Sequence, residues 1–344
     1  MNVNVTPQIR AVGAFDEYIK PLRPFLDDDA LTEIVINRPC EVWCEGRGGW
    51  TRHEVAALDY DVLRAIARLA ASYTRQDISE ERPVLSTILP GGERCQIVIP
   101  PAVPQNTISI TIRRPSGVTM ELEDFDRAGL FEDVVIETGA LSEIDQQLVA
   151  LREQRRWSAF FDLAVRARKN IIISGATGSG KTTFSKGLIR RIPEYERIIT
   201  IEDTHELEVP QPNHVRLYYS KDGQGLSKAG PKELLESCLR MRPDRILLQE
   251  LRDGTAFFYL RNVNSGHPGS ITTVHADSAA LAFEQLTLLI KESEGGADLD
   301  RHDIRALLVM LVDIIVQMKK LPDGRRRVTE VYFDPARQLA SATS

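Results

Sequence analysis

Three consecutive isoleucines, Ile171, Ile172 and Ile173, run into the eight residues Gly175 to Thr182, GATGSGKT. No other stretch restricts the fold as tightly. An apolar strand that breaks into a glycine-rich loop and resumes as a helix is a P-loop. Gly175, Gly178 and Gly180 allow backbone N–H groups to approach phosphate oxygens that a side chain would hold off. Lys181 offers positive charge to the β- and γ-phosphates, and Thr182 offers a hydroxyl to a magnesium ion. The helix that follows turns its N-terminal dipole towards the same anion. Ala176, Thr177, Ser179 and Thr183 complete the nucleotide-binding stretch, and the expected ligands are ATP and Mg2+.

Around the cradle the chain alternates strand-like and helix-like runs. Arg197 to Ile201, Arg245 to Leu248 and Ser270 to Thr273 read as strands. The segments after Thr182, Pro231 to Met241 and Thr255 to Asn262 read as helices. That alternation predicts a mainly parallel sheet with helices on both faces and catalytic loops at the carboxyl ends of the strands. The first third differs. Glu33 to Asn37, Glu41 to Glu45 and Trp50 to Val55 look like short strands, and a helix follows with Asp59 as its N-cap. A meander comes next, Val84 to Leu89, Arg94 to Ile99 and Thr107 to Arg113. The acidic stretch from Met120 to Gln154 loses strand character and reads as a linker. The expected organisation is an amino-terminal α/β domain over 1–119, a linker over 120–154 and a P-loop ATPase domain over 155–344. A hairpin closes it, Asp313 to Lys319 and Arg326 to Phe333, with Arg325 to Arg327 read as a charged, solvated edge.

With 344 residues the chain has room for two cores, and its 42% hydrophobic and 27% charged residues are those of a globular protein. A net charge of -6 argues against a dedicated nucleic-acid binder. Arg152, Arg155, Arg156, Arg166, Arg168 and Lys169 read as a solvated helix face. The start MNVNVTPQIR has no secretory pattern, and the longest apolar stretch, Ala306 to Val316, is too short to span a bilayer. A cytoplasmic location follows, with peripheral membrane contact at most. Cys40, Cys44, Cys95 and Cys238 show neither a disulfide framework nor metal-ligand spacing.

Hydrolysis needs an acidic group near magnesium and a group that orients water. Two strands end in carboxylates, the first in Glu202 and Asp203, the second in Gln249 and Glu250. Glu250 is the favoured water-orienting residue. Glu202 is an outer-shell magnesium partner or second water-positioning group, with Asp203 as its substitute, so Thr182, Glu202 and Glu250 form the candidate metal set. His267 and His275 flank a short strand, and His275 reads as a γ-phosphate sensor.

Taken in order, GATGSGKT, TIEDTHEL, RPDRILLQELRDGTA and GHPGSITTVHAD resemble the secretion ATPase superfamily, and within it the traffic ATPases of type IV secretion systems. GERCQIVIPP, SITIRRPS and LPDGRRRVTEVYF extend the likeness over nearly the whole chain. Gln249 departs from the pattern, since many relatives carry a small residue there. The resemblance implies a RecA-like ATPase domain behind a smaller α/β domain, and a hexameric ring with ATP bound between the two. It also implies that Arg94 and Arg113 reach the phosphates from the amino-terminal domain, with Arg114 able to replace Arg113. The implied partners are inner-membrane components of the secretion machine, and DNA, protein or pilin as transient cargo. A type II secretion or pilus-retraction motor is the alternative, although the four-cysteine zinc insertion such motors often carry is missing. A nucleic-acid translocase would need a basic, aromatic-lined groove, which the sequence does not show.

Overall fold

The computed structural model describes residues 7–115, 120–134, 139–220, 225–252, 255–293 and 295–343. It opens with α1 (Pro7–Ile19), a 3-10 turn (Lys20–Leu22) and α2 (Arg23–Leu26). Then come β1 (Glu33–Ile36), β2 (Glu41–Gly46), β3 (Gly49–Glu54), α3 (Tyr60–Tyr73), β4 (Val84–Ile88), β5 (Arg94–Val98) and β6 (Ser109–Arg113). The strands form one antiparallel sheet in the order β3-β2-β1-β6-β5-β4. Asp59 caps α3 as anticipated, its Oδ1 accepting the Val62 N–H at 2.9 Å. Leu63, Ile66, Ala67 and Ala70 recur at helical spacing and are buried in one core with Ile34, Ile36, Ile97 and Ile110 of the sheet.

The next stretch holds α4 (Leu122–Arg127), α5 (Glu143–Glu153) and α6 (Trp157–Arg166). Leu148 of α5 is buried in the same core as Phe160, Ile171 and Ile173, and Lys169 pairs with Asp145 at 2.7 Å. The chain continues through β7 (Ile171–Ser174), α7 (Lys181–Ile189), β8 (Ile198–Glu202), β9 (His214–Tyr218), α8 (Pro231–Cys238) and β10 (Arg245–Leu248). It finishes with α9 (Thr255–Asn264), β11 (Ile271–Val274), α10 (Ala279–Lys291), α11 (Arg301–Leu311), β12 (Ile314–Lys320), β13 (Arg326–Phe333) and α12 (Pro335–Thr343).

Parallel ladders run β10-β8-β9 and β11-β7-β12, and β13 adds antiparallel to β12. The two groups meet where the Leu251 N–H donates to the Thr273 carbonyl at 2.8 Å and the Ser270 hydroxyl to that of Ile246 at 2.9 Å. The architecture is α/β, a RecA-like ATPase domain with a mainly parallel sheet behind a smaller amino-terminal domain, as the sequence led us to expect. The sequence reading does not name α1, α2, α10, α11, α12 or β9. In β9, His214 and Arg216 interrupt the apolar residues Val215 and Leu217, so its edge position is visible only from pairing.

The two parts share a packed seam. Val98, Ala102 and Val103 are buried with Leu217, Leu234 and Leu235, and the Gln96 Nε2 donates to Ser237 Oγ at 2.9 Å. The buried Arg197 Nη1 donates to Asn37 Oδ1 and Asn213 Oδ1, both at 2.6 Å.

Candidate active site

Because β7, β8, β10 and β11 run parallel, their carboxyl ends emerge on one side, and the loops that follow meet around a cavity of about 530 Å³. The P-loop residues Ala176 to Thr183 line it, with Asp203, Glu206, Gln249, Glu250, Arg252, Thr273, His275 and Arg326. Gly175 must be glycine for lack of space: a Cβ there would lie 2.4 Å from the Met318 carbonyl oxygen, on the strand beside β7. Gly180 has φ +97°, a left-handed conformation that admits glycine most readily, and it begins α7.

Lys181 curls back into its own loop, donating to the Gly175 carbonyl at 2.6 Å and the Ala176 carbonyl at 3.3 Å. Burial lowers its ammonium pKa, and nearby Glu250 opposes that shift. The lysine Nζ also lies 3.4 Å from His275 Nδ1, while His275 Nε2 lies 2.7 Å from Glu250 Oε1. An ammonium can only donate, so Nδ1 is the acceptor in the contact with Lys181. Lys181, His275 and Glu250 thus stand in one line of close polar contacts. The other carboxylate oxygen, Glu250 Oε2, pairs with Arg252 Nε at 2.8 Å, and Arg252 Nη2 reaches Asp203 Oδ2 at 2.7 Å. Nothing in the local pattern marks Arg252, although it lies two residues beyond Glu250.

Glu202 does not line this cavity. Its fully buried carboxylate accepts the N–H groups of Glu206 at 2.9 Å and Leu207 at 2.8 Å through Oε2, and the Thr200 hydroxyl at 2.7 Å through Oε1. It organises the turn after β8. The acid delivered to the P-loop is Glu206, whose Oε2 accepts the Thr182 hydroxyl at 3.3 Å. Glu206 lies inside the TIEDTHEL box, where the sequence pattern points only to the strand-end carboxylates. Gln249, the departure from the family pattern, accepts the Asp203 N–H at 3.2 Å and ties the ends of β8 and β10 together.

The donor set fits a magnesium nucleotide. The Ser179 hydroxyl is buried with no partner among the described residues, Lys181 has only carbonyls and one imidazole nitrogen, and the acids and Thr182 offer hard oxygens.

Arg94 and Arg113 are not at this cavity. They are register partners on β5 and β6 and line a separate one of about 630 Å³, with Leu239, Arg240, Arg242 and His267. Those four residues precede β10 and β11, at the amino ends of the strands. With four residues per strand the two ends are roughly 13 Å apart. His267 therefore lies at the opposite end of β11 from His275. Arg114 is engaged elsewhere, pairing with Asp29 at 2.7 Å.

A family model described as "Type II/IV secretion system protein" matches residues 16–317. The chain is 58% identical over 331 residues to the "Type IV secretion system protein VirB11" of Bartonella henselae, covering 93% of each. It is 43% identical over 332 residues to the protein of that name from Brucella suis, covering 95% of this chain and 92% of that one. Among solved structures it resembles the Brucella suis VirB11 ATPase, crystallised in complex with sulphate. The TM-score is 0.92 at 42% identity, over 98% of this chain and 99% of the other.

Proposed function

Since the chain belongs to the type II/IV secretion system protein family and is an ATP-hydrolysing type IV secretion ATPase, we propose that it works as a hexameric motor at the inner membrane. In this reading it docks peripherally on the cytoplasmic side against membrane components of the machine and drives pilus assembly or the passage of DNA or protein. The type IV reading is preferred to a type II or retraction motor because the 58% identity to a type IV protein runs over 93% of both chains. Residues 120–134 act as the linker, and α5 belongs with the ATPase unit, to which Leu148 and Asp145 bind it.

The observation that carries the mechanism is the chain Lys181–His275–Glu250 at the mouth of the P-loop. Backbone N–H groups of the loop and Lys181 take the phosphates, and the Ser179 hydroxyl gains the partner it lacks. Magnesium, held by Thr182 with Glu206 behind it, would neutralise developing phosphate charge. Lys181 leaves His275 for the γ-phosphate, so His275 loses its donor only when a nucleotide is bound and reports that change to Glu250. Glu250, held on both oxygens by His275 and Arg252, accepts a hydrogen from the attacking water and sets its direction.

Arg94 and Arg113 lie beyond the far end of the sheet from their own cradle, so in this reading they serve the cradle of a neighbouring copy. A guanidinium supplied in trans stabilises transition-state charge only when subunits close, which links hydrolysis to ring motion.

The test is steady-state ATP hydrolysis by Lys181→Ala and Glu250→Gln. Each should lose hydrolysis by at least about 100-fold. Glu250→Gln should keep nucleotide affinity, whereas Lys181→Ala should lose it. Turnover close to wild type in both variants would rule out this mechanism.

A further inference from the structure

The face of the amino-terminal sheet that carries Arg94 and Arg113 is charged in a fixed order. Glu45 of β2 is in register with Glu33 of β1, Glu33 with Arg113 of β6, and Arg113 with Arg94 of β5. Residues directly opposite one another in an antiparallel sheet share a face, so the four side chains form one row, two acids and then two arginines. The row beside it, Cys44, Ile34, Ile112 and Cys95, is buried in the core of the domain. The charged row therefore faces the opposite way, towards the ATPase part, where Glu33, Arg94 and Arg113 line the cavity of about 630 Å³.

The other charges near the row are already engaged. Glu45 is taken by Arg242, which also lies 3.6 Å from Asp244. Arg197 is held by Asn37 and Asn213. Glu33 is left with Arg113: its side chain is 6% exposed, and among the described residues its one ion pair is the 3.6 Å approach of Arg113 Nε to its Oε1. The arginine is unlike the acid. Its side chain is 69% exposed, and its terminal nitrogens have no hydrogen-bond partner among the described residues. Contact through Nε steadies the near side of the guanidinium and leaves the two Nη groups free to meet phosphate oxygens. Arg94 lacks such support, with no hydrogen bond or ion pair from its side chain among the described residues.

We propose that Glu33 is a positioning residue for hydrolysis, a buried carboxylate that holds Arg113 by its Nε so that the free end of the guanidinium is preset for the phosphates of a neighbouring copy. The proposal rests on the reading above in which Arg113 acts in trans. A long side chain at an exposed strand end samples many rotamers, and fixing it beforehand removes that cost from the step in which subunits close. Glu33 lies with Arg113 beyond the far end of the sheet from its own cradle, so its effect on the reaction passes through the arginine. Because that arginine acts on transition-state charge, the loss appears in kcat rather than in KM.

The experiment is steady-state ATP hydrolysis by the full chain in a double-mutant cycle of Glu33 and Arg113. It is run at about pH 8, above the value of about 7 to which burial raises the Glu33 carboxyl, so that the pair is charged. Glu33→Ala should lower kcat by about 10-fold and leave the KM for ATP within about 2-fold. Glu33→Gln keeps an oxygen that accepts from Nε and should recover part of the loss. In Arg113→Ala, where Arg94 still supports residual hydrolysis, adding Glu33→Ala should change kcat by less than about 2-fold. A role in folding alone gives a different result, because a weakened sheet slows both backgrounds by the same factor. Equal losses from Glu33→Ala in the two backgrounds therefore overturn the proposal, as does a wild-type kcat in Glu33→Ala. If Glu33→Ala does not assemble, Glu33→Gln carries the same cycle, and equal losses in the two backgrounds overturn the proposal there too. Failure of the underlying reading looks different, since Arg113→Ala by itself would then hydrolyse ATP at the wild-type rate.

Discussion

Glu202 and Glu206 stand four residues apart and have different tasks. Glu202 Oε2 holds the turn after β8 while Oε1 takes the Thr200 hydroxyl within the strand, and that turn points Glu206 at Thr182. Removing the buried acceptor strands two N–H groups, at roughly 1–3 kcal/mol for each unsatisfied donor. Glu202→Ala should therefore lower the thermal unfolding midpoint, and Glu206→Ala, at an exposed position, should leave it close to wild type. Equal midpoints for Glu202→Ala and wild type would mean that the turn does not depend on the carboxylate. Both acids sit in the same short box, and the pattern of residues there does not distinguish one that faces inward from one that faces the ligand. What separates them is the path of the backbone after β8.

At the scale of elements, the amino end of β1 meets the ends of β6 and β2. Glu33 is buried there, 3.6 Å from Arg113, with Glu45, Arg242 and Arg197 also in its field. Burial, reinforced by Glu45 and opposed by the arginines, pushes its pKa up from 4.5 to about 7. The folded state then binds a proton more tightly than the unfolded state, so stability is fully present below about 4.5 and is lost as pH rises towards about 7. Glu33→Gln should flatten that decline, and thermal melts from pH 4.5 to 8 would check it. A wild-type decline that persists unchanged in the variant would assign it to other groups. The elements themselves were mostly legible, because short apolar runs divided by glycine and proline reveal strands whichever way they pair. The contact of Arg326 with the P-loop, its Nε donating to the Gly178 carbonyl at 3.1 Å, was not. Alternate residues of a strand face opposite ways, and which of Arg325, Arg326 and Arg327 meets the P-loop depends on the register of β13 against β12.

For the whole molecule the decisive feature is that one chain carries its phosphate cradle and its paired arginines at opposite ends of the same parallel sheet. If the arginines act in trans, mixing two inactive proteins should restore activity. Lys181→Ala supplies intact arginines, and the double variant Arg94→Ala, Arg113→Ala supplies intact cradles. Subunits that exchange at random should rebuild about a quarter of the sites in the mixed ring. Recovery of hydrolysis after co-refolding or co-expression would support sharing between subunits. A mixture as inactive as its components, with assembly intact by light scattering, would refute action in trans.

The cradle, the strand ends that carry acids, the two-part α/β plan and the family resemblance are all legible without coordinates, because each is written in neighbouring residues and local spacing. Packing across the sheet was needed to see that Glu206 rather than Glu202 faces Thr182, that His275 stands between Lys181 and Glu250, and that Arg326 meets the Gly178 carbonyl. It also placed Arg94 and Arg113 away from their own P-loop. These are matters of which side chains meet across strands distant in sequence, and hydrogen bonds of about 3 Å are set by sheet register and domain packing.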